Sequence, residues 1–431
     1  MKFLYSDTRD YIDPKYDFIN DRNKPGRKPY WDDHYAHECI SPTPYDGLLV
    51  AMSGVIHAEG VPSSKVRYST AEAQRFLRDG ARKFLRFGGP RFKDSMLMGD
   101  CGAFAYVTLD RPVFEPKEVF DFYTDGMFTH GISPDHIIFE CDITNPPKNK
   151  IDTKTFSRYE ITLENAKEFF KISRKEGFPF EPVAPVQGWS PKSMAQAAAK
   201  LEKMGYKYLA IGGLVPLKDD VIHQILKEIR SAISPDTNIH LLGFAKAETI
   251  HQFLNYGITS FDSTSPLIKA FKDDKQNYFL PKKDGGLDYY AAIRIPQALE
   301  NPRLMQGIKR GIFNAEDLVK REAKALKAVR LLDQGKASTN SALDAVMDYH
   351  QFLLRGDNSG ESNQNRVLAK LEVRITRTLQ DQPWKHCSCD ICKTAGVEVI
   401  IFRASNRNKR RGFHNLAVYH THLQKTMNKA K

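Results

Sequence analysis

Residues 178–214 read FPFEPVAPVQGWSPKSMAQAAAKLEKMGYKYLAIGGL, an apolar run from Phe178 to Val186, a helical pattern over Ser190–Met204, and a second apolar run from Tyr208 to Leu214. Two buried-type strands separated by one amphipathic helix describe a parallel βαβ unit, because a parallel return requires a crossover. The rhythm extends in both directions. Leu48–Met52, Met96–Phe104 and Ile137–Cys141 precede the unit, and His240–Phe244 and Ile258–Phe261 follow it. Further helical patterns lie at Thr70–Phe87, Asp219–Ile233 and Lys246–Tyr256. Strand and helix alternating at this spacing predict a (β/α)8 barrel. A doubly wound open sheet is the competitor, but no Gly-x-Gly-x-x-Gly follows the first run.

Outside this rhythm the text changes. The first forty residues are polar and punctuated by Pro14, Pro25 and Pro29, which predicts an N-terminal arm over 1–40 and a barrel over 41–295. Charged helical text at Ala315–Leu332, Ser341–Leu354 and Asn365–Leu379, with a loop at Gly356–Ser362, predicts a helical insertion over 296–384. A terminal module with a closing helix occupies 385–431. Within Asp32–Glu38, His34 and His37 stand three apart among acids, a pattern that fits a polar arm, a metal site or a nucleic-acid contact.

Composition bounds the function. The 431 residues are 41% hydrophobic and 27% charged, too apolar for a disordered chain and without the roughly 18-residue apolar run of a membrane helix. Charges within Met1–Arg9 argue against a signal peptide, so a cytoplasmic protein is expected. The net charge is +12, and residues 385–431 hold ten Lys and Arg against Asp390 and Glu398. Such a patch suits a polyanionic partner. The basic run Asn406–Arg411, with Arg407, Lys409, Arg410 and Arg411, is the candidate contact, and a solvated turn is its alternative.

Cys387-x-Cys389-x-x-Cys392 followed by His414 offers three thiolates and an imidazole, the donor set of a closed structural zinc site. His386, His420 and His422 are rival fourth ligands. Acids end three of the apolar runs: Asp100, Asp142 and Asp262. In a (β/α)8 barrel strand C-termini form the active-site mouth, so these carboxylates and the Gln187-Gly188 and Gly212-Gly213-Leu214 turns belong to one rim. Trp189 fits either the pocket wall or the core.

In this order, Gly99-Asp100-Cys101-Gly102-Ala103-Phe104, Asp142, Val186-Gln187-Gly188, Gly212-Gly213-Leu214, Phe261-Asp262 and Cys-x-Cys-x-x-Cys with His414-Asn415-Leu416 resemble the guanine transglycosylases over about residues 41–270 and 385–425. Those enzymes are zinc-bearing (β/α)8 (TIM) barrels that exchange guanine in a polynucleotide for a 7-deazaguanine base. The resemblance implies Asp262 as the nucleophile at the sugar C1′ and Asp100 as acid and base. It implies Phe104 stacking on the base, Asp142 and Gln187 reading its edge, and Gly188, Gly213 and Leu214 completing the pocket. It selects His414 as fourth ligand of a structural Zn2+.

The departures from the family pattern point to one branch. Val215-Pro216-Leu217 is similar to the archaeal enzymes, and Lys218 stands near where bacterial ones carry a glutamate that helps bind an aminomethyl base. A neutral nitrile needs no such acid, so 7-cyano-7-deazaguanine (preQ0) is the expected incoming base. Ser263-Thr264-Ser265-Pro266-Leu267-Ile268 replaces the Pro-Thr-Arg run of the tRNA enzymes, and no appended RNA-binding domain is expected. Cys101 and Ala103 stand where the family has Ser and Gly. The resemblance is therefore to the DNA-acting branch, with DNA as partner. A tRNA-guanine transglycosylase and a non-catalytic, zinc-stabilised nucleic-acid-binding protein are the alternatives. Accessory proteins that open the duplex and a homodimer are compatible with the reading.

Overall fold

The computed structural model describes every residue except Thr8, Ala245, Ala247, Glu248, residues 357–359 and residues 430–431. The chain forms two compact units, one of residues 1–9, 45–264 and 426–431, the other of residues 10–44 and 265–425.

The first unit is a closed parallel barrel of eight strands: β1 (Lys2–Ser6), β2 (Gly47–Ala51), β3 (Met96–Asp100), β4 (His130–Ile132), β5 (Glu181–Val186), β6 (Tyr208–Ile211), β7 (Asn238–Leu241) and β8 (Ile258–Ser263). Each pairs with its sequence neighbour, and β1 closes the ring on β8 with Leu4 opposite Asp262. The strands are apolar almost throughout because both faces are covered. Leu4, Leu49, Met96, Met98, Ile132, Val183, Tyr208 and Ala210 pack together as one buried cluster. The crossover helices carry the stop and start signals expected of them. Ser69 and Glu72 form a capping box on Thr70–Asp79, Asp152 caps Thr153–Lys175, and Pro191–Met204 begins at Ser190 and ends on left-handed Gly205.

Three sequence expectations differ here. Lys2–Ser6, inside the stretch assigned to an arm, is a barrel strand whose Phe3, Leu4 and Tyr5 are buried. Ile137–Cys141 is not a strand: Ile137 and Ile138 are buried without sheet pairing, and the fourth strand is His130–Ile132, stopped by the Ser133-Pro134 step. The helix expected over Lys246–Tyr256 is a 3-10 segment over Ile250–Tyr256, with Ala247 and Glu248 outside the described residues.

The second unit contains the helices Pro302–Lys309, Ala315–Asp333, Thr339–Leu353 and Glu361–Asp381, a hairpin of Tyr278–Pro281 against Leu287–Tyr290, and most of the helix Ser405–Lys429. Residues 10–44 and 265–295, assigned from sequence to the arm and the barrel, group with it. The loop expected at Gly356–Ser362 falls partly on residues 357–359, outside the described residues.

Candidate active site

The C-terminal strand ends open onto a cavity of about 270 Å³. Ser6 and Asp7 enter from the end of β1, Asp100 from the end of β3, and Asp262 from β8. Behind β3 the chain turns through left-handed Gly102, where a Cβ would lie 1.9 Å from Ser53 Oγ, and this turn carries Phe104 to the rim with its ring exposed. Asp100 and Asp262, 162 positions apart in sequence, thus line one cavity.

Their surroundings differ. Asp262 Oδ1 accepts from the Gly243 amide at 2.9 Å and lies 3.2 Å from His240 Nε2, while Oδ2 accepts from Ser6 Oγ at 2.5 Å. Asp100 accepts local help from its own turn, from the Gly102 amide at 3.1 Å and from the Cys101 amide. Burial, then the neighbouring charges of Asp135 and Asp262, push the Asp100 carboxyl up to about 8. One carboxylate is held by three donors, and the other keeps its proton at neutral pH. The pair can therefore supply a nucleophile and a proton donor in one site.

A third acid completes the floor, and it is Asp135. Asp135 Oδ2 accepts from Gln187 Nε2 at 2.7 Å and Oδ1 from Cys101 Sγ at 3.3 Å, and Gln187 Oε1 accepts from the Ile138 amide at 3.1 Å. Burial raises the Asp135 carboxyl above its ordinary range despite these donors. Asp142, expected from sequence to read the base, lies outside the cavity: it is exposed and caps its own turn, accepting from the amide and hydroxyl of Thr144. The reason is the misplaced strand. With β4 ending at Ile132, the acid at the barrel mouth is Asp135, and Asp142 follows ten residues beyond the strand.

Gln187 and Gly213 line the cavity as expected. Gly213 is left-handed, and a Cβ there would come 2.7 Å from the Ile138 carbonyl. Gly188 and Leu214 do not line it. Gly188 admits the helix Pro191–Met204, where a Cβ would meet Met194, and the Leu214 carbonyl accepts from Leu217. Trp189 packs on Tyr159 and donates to the Pro146 carbonyl, away from this cavity. Sequence reasoning missed Ser6, Asp7, Asp135, His240, Lys65 and Arg67; all but His240 line the cavity, and His240 touches Asp262 from beneath. The Gly-Ile-Ser-Pro-Asp run that ends at Asp135 was the signal available for one of them.

In the second unit, Cys387, Cys389, Cys392 and His414 place one ligand atom each within 4.8 Å of one another. His414 Nδ1 faces the three sulfurs at 3.3–3.5 Å, and Nε2 bonds the Phe279 carbonyl at 2.7 Å, which fixes the ring with Nδ1 inward. Tyr278 stacks on the imidazole at 4.0 Å. Four convergent soft and borderline donors, with the second ring nitrogen engaged, can hold a metal ion.

The family model described as queuine tRNA-ribosyltransferase matches residues 73–295. A DNA-guanine transglycosylase of Salmonella montevideo is 38% identical over 429 residues, covering 99% of this chain and 97% of the relative. The chain belongs to the guanine transglycosylase family. Its archaeal tRNA relatives are more distant. The tRNA-guanine(15) transglycosylase of Thermococcus kodakarensis is 26% identical over 322 residues, 69% of this chain and 52% of that protein. As a guanine transglycosylase the chain is a pentosyltransferase.

One expected feature of this transglycosylase is overturned. Residues 406–411 are not a basic loop but lie within the helix Ser405–Lys429. Arg407 and Arg411 are fully buried, and Arg410 nearly so. Arg407 pairs with Asp21 and Glu398, Arg411 donates to the carbonyls of Ala270, Val399 and Ile401, and Arg410 donates to the Asp13 carbonyl. Lys409, half-buried, lies 3.9 Å from Asp10. The three arginines neutralise acids and cap carbonyls inside the second unit, so they present no surface to a phosphate, and only Lys409 of the four is partly exposed. Among the described residues no helix is long and apolar enough to cross a membrane.

Proposed function

We propose that this transglycosylase exchanges guanine in DNA for 7-cyano-7-deazaguanine through a glycosyl ester of Asp262. The convergence of Asp262 and protonated Asp100 on one cavity carries the reading. In the first displacement an Asp262 oxygen bonds to C1′, the C1′–N9 bond breaks, its electron pair stays with guanine, and Asp100 donates a proton to the departing base. In the second, the Asp100 carboxylate takes the proton from N9 of the incoming base, N9 bonds to C1′, and Asp262 leaves as carboxylate. Two inversions retain configuration, as in retaining glycosidases with a base in place of water.

Phe104 stacks on the base in this reading, which its exposed ring on the cavity rim supports. Asp135, with Gln187 fixed against it, accepts from the purine N–H edge in this reading and takes the part expected of Asp142. The nucleoside must leave the helix stack to enter. Lys65 and Arg67, exposed on the cavity rim, are the cations suited to its flanking phosphates.

The similarity over nearly the whole chain to a protein named for DNA favours DNA over tRNA. Zinc is the proposed ion for Cys387, Cys389, Cys392 and His414, where it would cross-link the segments that bear them. Cysteines without disulfides suit the reducing cytoplasm, where we place the protein. The test is incubation of radiolabelled 7-cyano-7-deazaguanine with duplex DNA, with single-stranded DNA and with tRNA. Label in DNA that disappears in Asp262→Asn is expected. Label in tRNA alone would replace DNA by the tRNA reading, and label in neither, with DNA still bound, would favour the non-catalytic one.

A further inference from the structure

Beneath Asp262 the barrel interior holds a chain of polar groups that the exchange chemistry above does not use. Tyr208 Oη lies 2.6 Å from Ser260 Oγ, Ser260 Oγ lies 2.7 Å from His240 Nδ1, and His240 Nε2 lies 3.2 Å from Asp262 Oδ1. Ser260 and His240 are fully buried, and Tyr208 is 2% exposed. Tyr208 belongs to the buried cluster of Leu4, Leu49, Met96, Met98, Ile132, Val183 and Ala210, and polar groups taken so far from water are tolerated when each finds a partner, which then holds them in one arrangement.

The carboxylate end fixes the direction of the chain. An ionised carboxylate only accepts, so His240 donates from Nε2. A neutral imidazole then accepts at Nδ1, Ser260 donates to it, and Tyr208 donates to Ser260. Every hydroxyl hydrogen is used once, and no donor is left over. The two oxygens of Asp262 are consequently unequal. Oδ1 takes two donors, the Gly243 amide and His240, whereas Oδ2 takes one, Ser6.

We infer that His240 is a positioning residue that commits Asp262 Oδ1 to the carbonyl role and leaves Oδ2 to attack, with Ser260 and Tyr208 fixing its tautomer. This deepens the proposed function and rests on Asp262 being the nucleophile. When C1′–Oδ2 forms and C1′–N9 breaks, Oδ1 becomes the ester carbonyl and keeps both its donors. When the incoming base displaces Asp262, the electron pair of the C1′–Oδ2 bond returns to a carboxylate whose charge Gly243 and His240 already face. His240 touches neither sugar nor base.

The experiment joins two measurements on the full-length protein. The first is the 15N spectrum of histidine-labelled enzyme at neutral pH, with His240→Gln used for assignment. A His240 signal pair with Nε2 protonated and Nδ1 bare is expected. A proton on Nδ1 with Nε2 bare overturns the inference, whatever the enzyme does with DNA. The second is single-turnover transfer from guanine-containing DNA to labelled 7-cyano-7-deazaguanine, by wild type, His240→Phe and His240→Gln. His240→Phe should lose about a hundredfold in the transfer rate with the KM for the incoming base unchanged, because a misaimed nucleophile costs that order. His240→Gln, which keeps an N–H near the Nε2 position, should recover most of it. Equal rates in all three proteins, or equal losses in the two variants with both folded and binding base, overturn the positioning role. A wild type that transfers nothing sinks the proposed function instead, and the tautomer result still stands on its own.

Discussion

Asp100 and Asp262 owe the different roles proposed for them to burial and to counted hydrogen-bond donors. Asp100 keeps its proton to about pH 8 because its charge would sit in an enclosed cavity beside Asp135 and Asp262. Base exchange should therefore fall as pH rises through about 8, and a rate profile locates the midpoint. The same shift links to stability. The unfolded chain releases this proton near its ordinary value of 3.8 and the folded one near 8, so the native state loses stability across that window as pH rises. Asp100→Asn should abolish exchange yet melt a few degrees higher, with a larger gain at pH 9 than at pH 5. A variant that melts lower at pH 9 would contradict the assignment. Asp135 and Asp142 separate on the same logic. Asp135→Asn should weaken binding of the base at least tenfold, because one of the buried reader's two acceptor oxygens becomes an NH2 donor. Asp142→Asn, on an exposed turn, should leave binding and turnover near wild type, and a base-binding titration distinguishes the two.

Strand ends decided what the sequence disclosed of this site. Asp100 and Asp262 were legible because each lies at the C-terminal end of a recognisable strand run, Met96–Asp100 and Ile258–Ser263. Asp135 was not, since β4 has only three residues and an unpaired but buried run at Ile137–Ile138 resembles a strand better than the strand does. β1 was hidden for another reason: five residues flanked by a polar segment carry too little periodicity to stand out. The basic run at 407–411 shows how charge misleads when it is read without its acids, for Asp21 lies at the other end of the sequence and Glu398, nine residues before Arg407, meets it only once the chain folds back. Arg407→Ala should cost roughly 1.5–3 kcal/mol in denaturant unfolding, because it removes one of two arginines from each of Asp21 and Glu398, which keep Arg403 and Arg330. The DNA affinity of the folded protein should not change in step. Cys389→Ser, by removing one of the convergent sulfurs, should lower bound zinc measured by metal analysis and lower the melting temperature together.

Across the molecule, the proposed function gives the chemistry to the barrel and the grip to its rim. With the arginines of 407–411 buried, nucleic-acid affinity must come from other cations, and Lys65 and Arg67 stand at the cavity mouth. Replacing either by Ala should weaken DNA binding and reduce the slope of log affinity against log salt by about one. The account as a whole stands on a covalent bond between Asp262 and a deoxyribose. Mixing the protein with guanine-containing DNA, withholding the incoming base, denaturing and weighing the products tests that bond directly. The wild type should yield an adduct whose mass is the chain plus the DNA strand less guanine, and Asp262→Asn should yield none. An adduct of the same mass in Asp262→Asn, or none from a wild type that still incorporates labelled base, would contradict the account.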